Sequence, residues 1–310
     1  MDELGVEDGR AYHLFVRVPP ALKNCRWAGL DVAGWLDRRL VDVLIPSQLM
    51  TLAHDMPIDE FVAIARPAGC KVYPSLYPRT SYTWPFAATP STSSYASPTS
   101  RLVSPELVRG AASNYRYMGA SGFQLFNFTL PPDARAYQIV RDIARPATLT
   151  QATRTYAITP AYYLDYEDSY QYKKHIPIDL KAGTPCNLPL IVGEDLTDRA
   201  LAPPPDLCAL RLGMRGASPD LEMSVRLNGV SLHTGAVGEG LVAVTGSAPA
   251  DGGAHPDPPS AYLQLPLSRL TTLNQGLNTL ELIIRIPGAG GNVSLVEVQL
   301  GVVYLRDYRL

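Results

Sequence analysis

The chain has little charge of either sign and no long apolar run. Of its 310 residues only 18% are charged, and 27 basic residues nearly balance 29 acidic ones. Without a basic excess, the sequence lacks the signature of a protein that binds nucleic acid or an anionic membrane. No run of 18 or more apolar residues occurs, whereas a membrane-spanning helix needs about 20. The acidic N-terminus has no apolar signal segment, so the chain as written is predicted to be cytoplasmic.

Cysteine is also scarce. The four cysteines, at positions 25, 70, 186 and 208, form no CxxC pair, and no histidine stands at metal-ligand spacing from them. We therefore predict buried free thiols, no metal site and no cofactor. The redox state of Cys186 and Cys208 stays open, because the two would pair if their region of the chain were extracytoplasmic.

Four apolar segments near the N-terminus are the most informative feature that is present. They cover residues 13–17, 41–47, 71–77 and 122–127, and stretches with helical periodicity, including residues 22–39, separate them. Nearly continuous apolar strands that alternate with helices are typical of a parallel sheet covered by helices. In the barrel form of this architecture, active sites lie at the C-terminal ends of the strands.

From about residue 156 the apolar residues alternate with a period of two. This pattern predicts strands, separated by turn signals such as Asn228-Gly229. Many short strands with Gly and Pro between them predict an antiparallel β-sandwich. The candidate strands are residues 175–180, 187–192, 207–214, 221–227, 261–266, 279–286 and 294–305.

Several short motifs resemble known families. The N-terminal motifs resemble the family-ten-like glycosyl hydrolases of bacterial carbohydrate metabolism; they are RVPP at 17–20, GLDV at 29–32, LVDVLIP at 40–46, GCKVYP at 69–74 and GASGFQLFNF at 119–128. Two later motifs resemble galactose-binding-like jelly rolls, namely VRLNGV at 225–230 and GLNTLEL at 276–282.

The resemblance implies a two-domain fold of class α/β plus all-β. Residues 1–155 would be a partial (β/α)8 barrel made of its last four βα units, and residues 156–310 an antiparallel jelly-roll-like β-sandwich. Relatives would have four more βα units before Tyr12, so we expect a missing N-terminal barrel half or a partner chain that supplies it. A half-barrel leaves open sheet edges, which also predicts a homo-oligomer.

The resemblance implies carbohydrate as the binding partner, and five residues at or after the strand ends are candidates for contacting it. Arg17, Gln48 and Asn127 offer hydrogen bonds to sugar hydroxyls, while Tyr77 and Trp84 offer aromatic rings for stacking. Arg17 and the two aromatic residues also have structural interpretations, which are ion pairing for Arg17 and loop packing for the aromatic residues.

No strand end carries the carboxyl pair that glycoside hydrolysis usually requires. Asp42 falls inside a predicted strand, and Asp59, Glu60 and Glu106 fall in first helical turns, where they complement the helix dipole. The catalytic residues are therefore unknown from sequence, and Asp55 is only a weak candidate acid.

Three functions stay open. The first is a glycoside hydrolase whose other barrel half is missing, so that this chain alone is inactive. The second is a non-catalytic carbohydrate-binding or structural module that acts through the β-sandwich, with sugar bound near Asn228 or the loop at residues 248–260. The third is a truncated gene product without activity. The sequence does not give the sugar, the linkage or the stereochemistry.

Overall fold

The computed structural model describes most of the chain, and β-strands predominate in it. Strands hold 37% of these residues and five α-helices and shorter helical turns hold 24%. The described residues are 6–7, 9–48, 51–81, 100–126, 134–145, 149–159, 175–198, 204–243, 259–286 and 291–305.

The N-terminal region contains two small parallel sheets and one hairpin. Strands β1 to β7 are Phe15–Val18, Val43–Pro46, Lys71–Val72, Ser75–Leu76, Arg79–Ser81, Ser100–Leu102 and Gln124–Leu125. Strands β1, β2 and β3 form a three-stranded parallel sheet in that order, and β4 pairs in parallel with β7. Strands β5 and β6 pair antiparallel.

The helices follow local signals in the sequence. Residues 22–39, predicted as one amphipathic stretch, form two helices, because Gly29 adopts a φ of 77° and Asp31 then caps the next helix by accepting from the Gly34 amide. Ser104 caps a later helix, as its position before Pro105 predicts. No helix among the described residues is long and apolar enough to cross a membrane. Helices α1 to α5 are Leu22–Trp27, Val32–Asp37, Ile58–Ala65, Pro105–Tyr117 and Ala134–Ala144.

The predicted fold class, which rests on a partial (β/α)8 barrel, is wrong. The barrel prediction requires one continuous sheet of four parallel strands, whereas the described strands fall into separate sheets of three and two. The interruption lies at Tyr73-Pro74, between β3 and β4, where proline has no N–H to donate to a ladder.

The described residues of the C-terminal region form two antiparallel sheets. Strands β8 to β17 are Arg154–Ala157, Ile178–Leu180, Cys186–Val192, Leu207–Arg215, Glu222–Leu227, Val230–Ala236, Leu241–Ala243, Ala261–Pro266, Gly276–Ile286 and Val293–Val303. One sheet has the order β10–β16–β12–β13, and the other has the order β14–β15–β11–β17–β8, with β9 also paired to β17.

Alternation of apolar residues explains why these sheets enclose a core. Buried residues recur at every second position along β10 and β16 and, with residues from both sheets, form one hydrophobic cluster. The Asn228-Gly229 turn between β12 and β13 has positive φ at both residues, as the two-residue hairpin signal predicts. Strands β8, β13 and β14 were not predicted.

Helix α4 joins the two regions. Gly110 on α4 lies so close to the Thr155 carbonyl of β8 that a side chain there would collide with it, and Gly193 meets the Ser113 carbonyl in the same way. The N-terminal region has its own hydrophobic cluster, to which α4 contributes Val108 and Tyr115. Helix α4 therefore packs against both regions.

Candidate functional site

Three described candidates lie at the C-terminal ends of the parallel strands. Arg17 is at the end of β1, Gln48 follows β2 and Tyr77 follows β4. The guanidinium of Arg17 lies 3.9 Å from the ring centroid of Phe126, which follows β7. The Phe126 and Tyr77 ring centroids are 5.9 Å apart, at 33° between planes. We call Arg17, Gln48, Tyr77 and Phe126 the strand-end cluster.

The members of the strand-end cluster differ in exposure. Arg17 is exposed and Phe126 half-buried, so the charged group is available to a ligand. Tyr77 is only 5% exposed; its ring supports Phe126 rather than offering a free face. Trp84 and Asn127 lie outside the described residues, and their roles stay predictions.

Gln48 is the unusual member of this cluster. Its side chain is 4% exposed, and its Nε2 has no hydrogen-bond partner within the described part of the chain. Buried amide groups are almost always paired, because leaving one unpaired costs about 1–3 kcal/mol. A neighbouring pair shows the usual arrangement, since Ser75 Oγ donates to Gln124 Oε1 at 2.7 Å.

The structure gives Asp55 a structural contact. Thr159 Oγ1 donates to Asp55 Oδ1 at 2.6 Å and accepts from the His54 amide at 2.9 Å. These bonds hold the loop after β2 against the segment after β8. Burial lowers the pKa of His54 to about 3, so its imidazole is neutral at physiological pH. Asp55 thus lies with Thr159 rather than in the strand-end cluster.

The other carboxylates also have structural positions. Asp42 stands just before β2, at the opposite end from the cluster, and accepts from the Leu14 amide at 2.7 Å. This backbone hydrogen bond lowers the pKa of Asp42. Asp59, Glu60 and Glu106 fall in first helical turns, which confirms their predicted places.

A second polar site, which the sequence did not predict, lies where α4, β8 and the loop after β10 meet. It is a cavity of about 230 Å³. We call it the Glu194 cavity; residues that line it include Ser113, Tyr117, Thr150, Arg154, Glu194 and Gln275.

A buried ion pair forms one wall of this cavity. The side chains of Arg154 and Glu194, which pair through Nη2 and Oε2, are 1% and 12% exposed. Ser113 Oγ donates to Glu194 Oε1 at 2.8 Å. The Arg154 Nη1 donates to the carbonyl oxygens of Ala152 and Thr150 at 2.8 and 3.1 Å, and its Nε to the Tyr156 hydroxyl at 3.1 Å. The network therefore satisfies both charged groups.

Burial acts on the ionisation of this network. It raises the pKa of Glu194 above the usual value, and the Arg154 charge and the Ser113 hydrogen bond oppose the rise. Burial alone lowers the pKa of Arg154, but Tyr156 and Glu194 outweigh it and hold that pKa above its usual range. Arg154 therefore stays charged.

A weak sequence signal for this network exists. Glu194 comes two residues after the apolar strand β10, and Arg154 opens β8; a charge adjoining an apolar strand needs a partner when it is buried. Which two charges pair is not visible from sequence, because Arg154 and Glu194 are 40 positions apart.

The described residues contain no group of three or more His, Cys, Asp or Glu side chains that could hold a metal ion. All four cysteines are free thiols. Burial raises the pKa of Cys208 to about 12, so this thiol is protonated and weakly reactive at neutral pH.

Comparisons with known proteins find distant structural similarity alone. No family model matches the sequence, and no curated protein matches it. A β-porphyranase of glycoside hydrolase family 86 from the human gut bacterium Bacteroides plebeius is 14% identical, with a TM-score of 0.27, over 49% of this chain and 20% of that one. A cycloisomaltooligosaccharide glucanotransferase from Paenibacillus sp., complexed with cycloisomaltoheptaose, is 12% identical, with a TM-score of 0.22, over 90% of this chain and 38% of that one. Both are carbohydrate-active enzymes, but TM-scores this low support no assignment.

Proposed function

We propose that this protein binds carbohydrate at the strand-end cluster and does not hydrolyse it. The observation that carries the proposal is the buried Nε2 of Gln48, which has no hydrogen-bond partner among the residues that the structure describes. Gln48 lies beside a strand end, as does the exposed guanidinium of Arg17. A ligand that accepts a hydrogen bond from Gln48 would remove the cost of leaving that donor unpaired.

The chemistry of the cluster suits a sugar. Amide and guanidinium groups donate to hydroxyl and ring oxygens, and a half-buried aromatic ring offers an apolar surface next to them. Arg17 is held against Phe126, which reduces the entropy that a ligand must remove when it orders the side chain. The motif resemblance to family-ten-like glycosyl hydrolases supports the same class of ligand.

Two observations favour binding without hydrolysis. None of the described residues that follow the parallel strands directly is a carboxylic acid, whereas hydrolysis needs a positioned acid and a base or nucleophile. Asp55 is engaged with Thr159.

The alternative site near Asn228 is less well suited to a sugar. The Nδ2 of Asn228 donates to Thr272 O and Asn278 Oδ1, and its Oδ1 accepts from the Thr279 amide, at 2.7–2.9 Å. These bonds shape the hairpin and leave the side chain with little capacity for a ligand. Most of the other suggested loop, residues 248–258, lies outside the described residues.

Affinity electrophoresis of the full chain in gels that contain single polysaccharides tests the proposal. We expect retention on at least one polysaccharide, and weakening by tenfold or more for Arg17→Ala, since a hydrogen bond to a charged group contributes about 1.5–3 kcal/mol. Arg26→Ala is the matched control, because Arg26 is exposed on α1, away from the strand ends.

Gln48→Met separates binding from folding. Methionine has a similar shape and no unpaired donor, so thermal stability should be unchanged or higher while retention falls. Full retention of Gln48→Met on the gel would refute the role of Gln48. No retention of the wild-type chain on any polysaccharide would refute the proposed function.

A further inference from the structure

We propose that the Glu194 cavity is a second binding site, for a single sugar ring or a similarly small, neutral, polyhydroxylated molecule. Its volume of about 230 Å³ lies below the roughly 300–1,000 Å³ of pockets that take drug-sized ligands. The cavity therefore suits one ring rather than a chain. This site is separate from the strand-end cluster and does not depend on it.

The electrostatics of the cavity favour a neutral ligand. Arg154 and Glu194 pair with each other, so neither offers an uncompensated charge to an ion. Arg116, which also lines the cavity, donates to the Ile143 carbonyl at 2.7 Å. Asp195 accepts from the amide and hydroxyl of Thr197 at 2.8 and 2.6 Å. The charged groups are thus largely engaged within the protein.

Tyr117 gives the cavity an aromatic wall. The residue is half-exposed at the end of α4. Its hydroxyl lies 2.6 Å from the point that a Cβ at Gly276 would occupy, and Gly276 has a φ of 91°. Only glycine therefore lets the Tyr117 ring lie against the start of β16. An aromatic ring at the wall of a cavity is suited to pack against the apolar face of a sugar.

Polar groups beside this ring complete the site. Gln275 lines the cavity, and its Nε2 donates to the Gly193 carbonyl at 3.2 Å, which leaves the amide oxygen oriented by a fixed bond. Ser113 and Glu194, which also line the cavity, are linked by a hydrogen bond. An aromatic wall with a few oriented polar groups is the usual composition of a small-molecule site.

Saturation-transfer NMR and calorimetry on the full chain test the inference, with D-glucose, D-galactose, D-mannose and myo-inositol as probes. We expect one of them to bind with a Kd on the order of 1 mM. Tyr117→Ala should weaken this binding about fivefold, because an aromatic contact of this kind is worth a factor of a few in affinity. Gln275→Ala should weaken it as well. Both residues are exposed, so neither change threatens the fold.

Two control variants make the result specific. Tyr137→Ala removes an exposed tyrosine of α5 that does not line the cavity and should leave the Kd unchanged. Arg17→Ala should also leave the Kd of the small probes unchanged, and Tyr117→Ala should leave retention on polysaccharide gels unchanged. The two proposed sites are therefore tested independently of each other. Absence of binding by all four probes at roughly 50-fold the expected Kd, or equal weakening by Tyr117→Ala and Tyr137→Ala, would overturn the inference.

Discussion

Replacing Arg154 with methionine should lower the free energy of unfolding by about 3–5 kcal/mol, because it leaves a buried carboxylate without its counter-ion. Arg154 is 1% exposed and donates to the carbonyls of Ala152 and Thr150 as well as to Glu194. Methionine fills a similar volume but offers no donor, so these acceptors lose their partner too. Against a total stability of about 5–15 kcal/mol, the loss should be large.

The destabilisation should depend on pH. Burial raises the pKa of Glu194, and Arg154 opposes the rise; without Arg154 the pKa rises further. The folded variant then binds the proton of the Glu194 carboxyl group more tightly than the unfolded chain does. The stability that this proton contributes is fully present below the unfolded-state pKa of about 4.3, and it is lost as the pH rises through the folded-state pKa. Arg154→Met should therefore be closest to wild type in acid and furthest from it near neutral pH.

Urea unfolding followed by circular dichroism measures both effects. The matched control is Arg226→Met, since Arg226 is 54% exposed and lies 3.6 Å from Glu281; an exposed pair contributes about 0–1 kcal/mol. The double variant Arg154→Met/Glu194→Gln, which removes the buried charge, should be more stable than Arg154→Met near neutral pH. If Arg154→Met and Arg226→Met unfold at the same urea concentration at every pH, the buried network has no energetic role.

Three further predictions follow from single contacts. Gly193→Ala should destabilise by about 1–3 kcal/mol in urea melts, because its methyl group would collide with a backbone carbonyl of α4. Asp55→Asn should lower the free energy of unfolding by about 1 kcal/mol, because it weakens the hydrogen bond from Thr159. It should leave polysaccharide retention unchanged. If the wild-type chain hydrolyses an aryl glycoside and Asp55→Asn does not, Asp55 is catalytic and this prediction is wrong. In alkylation followed by mass spectrometry, half-buried Cys186 should react before Cys208, whose pKa burial raises to about 12; the reverse order would contradict this.

Features encoded by a few neighbouring residues were predictable from sequence. The Ser104-Pro105 cap and the Asn228-Gly229 hairpin are present as predicted. The seven candidate C-terminal strands all correspond to observed strands, because the alternation of apolar residues reflects which side of a sheet is buried. Of the two three-residue strands in that region, Ile178–Leu180 falls inside a predicted segment, whereas Leu241–Ala243 was missed.

The barrel prediction failed because an apolar run in the sequence does not show which neighbouring strand each of its residues pairs with. Residues 71–77 read as one strand, but only Lys71–Val72 and Ser75–Leu76 pair, with different neighbours. Likewise, helical spacing from residue 22 to 39 hid the break that Gly29 and Asp31 impose. In both cases one or two residues with special backbone chemistry outweighed the periodicity of a longer segment.

The two sites differ in how far sequence could reach them. Sequence reasoning placed Arg17 and Tyr77 at the ends of parallel strands; their strands belong to separate sheets, but the ring of Phe126 contacts both side chains. Arg154 and Glu194 are 40 positions apart in sequence, and only the packing of two sheets and α4 brings them together. A buried ion pair contributes little net stability compared with apolar side chains of the same volume. Holding the two cores together therefore does not require Arg154 and Glu194, whereas the ligand binding that we propose for the Glu194 cavity does require fixed polar groups on its wall.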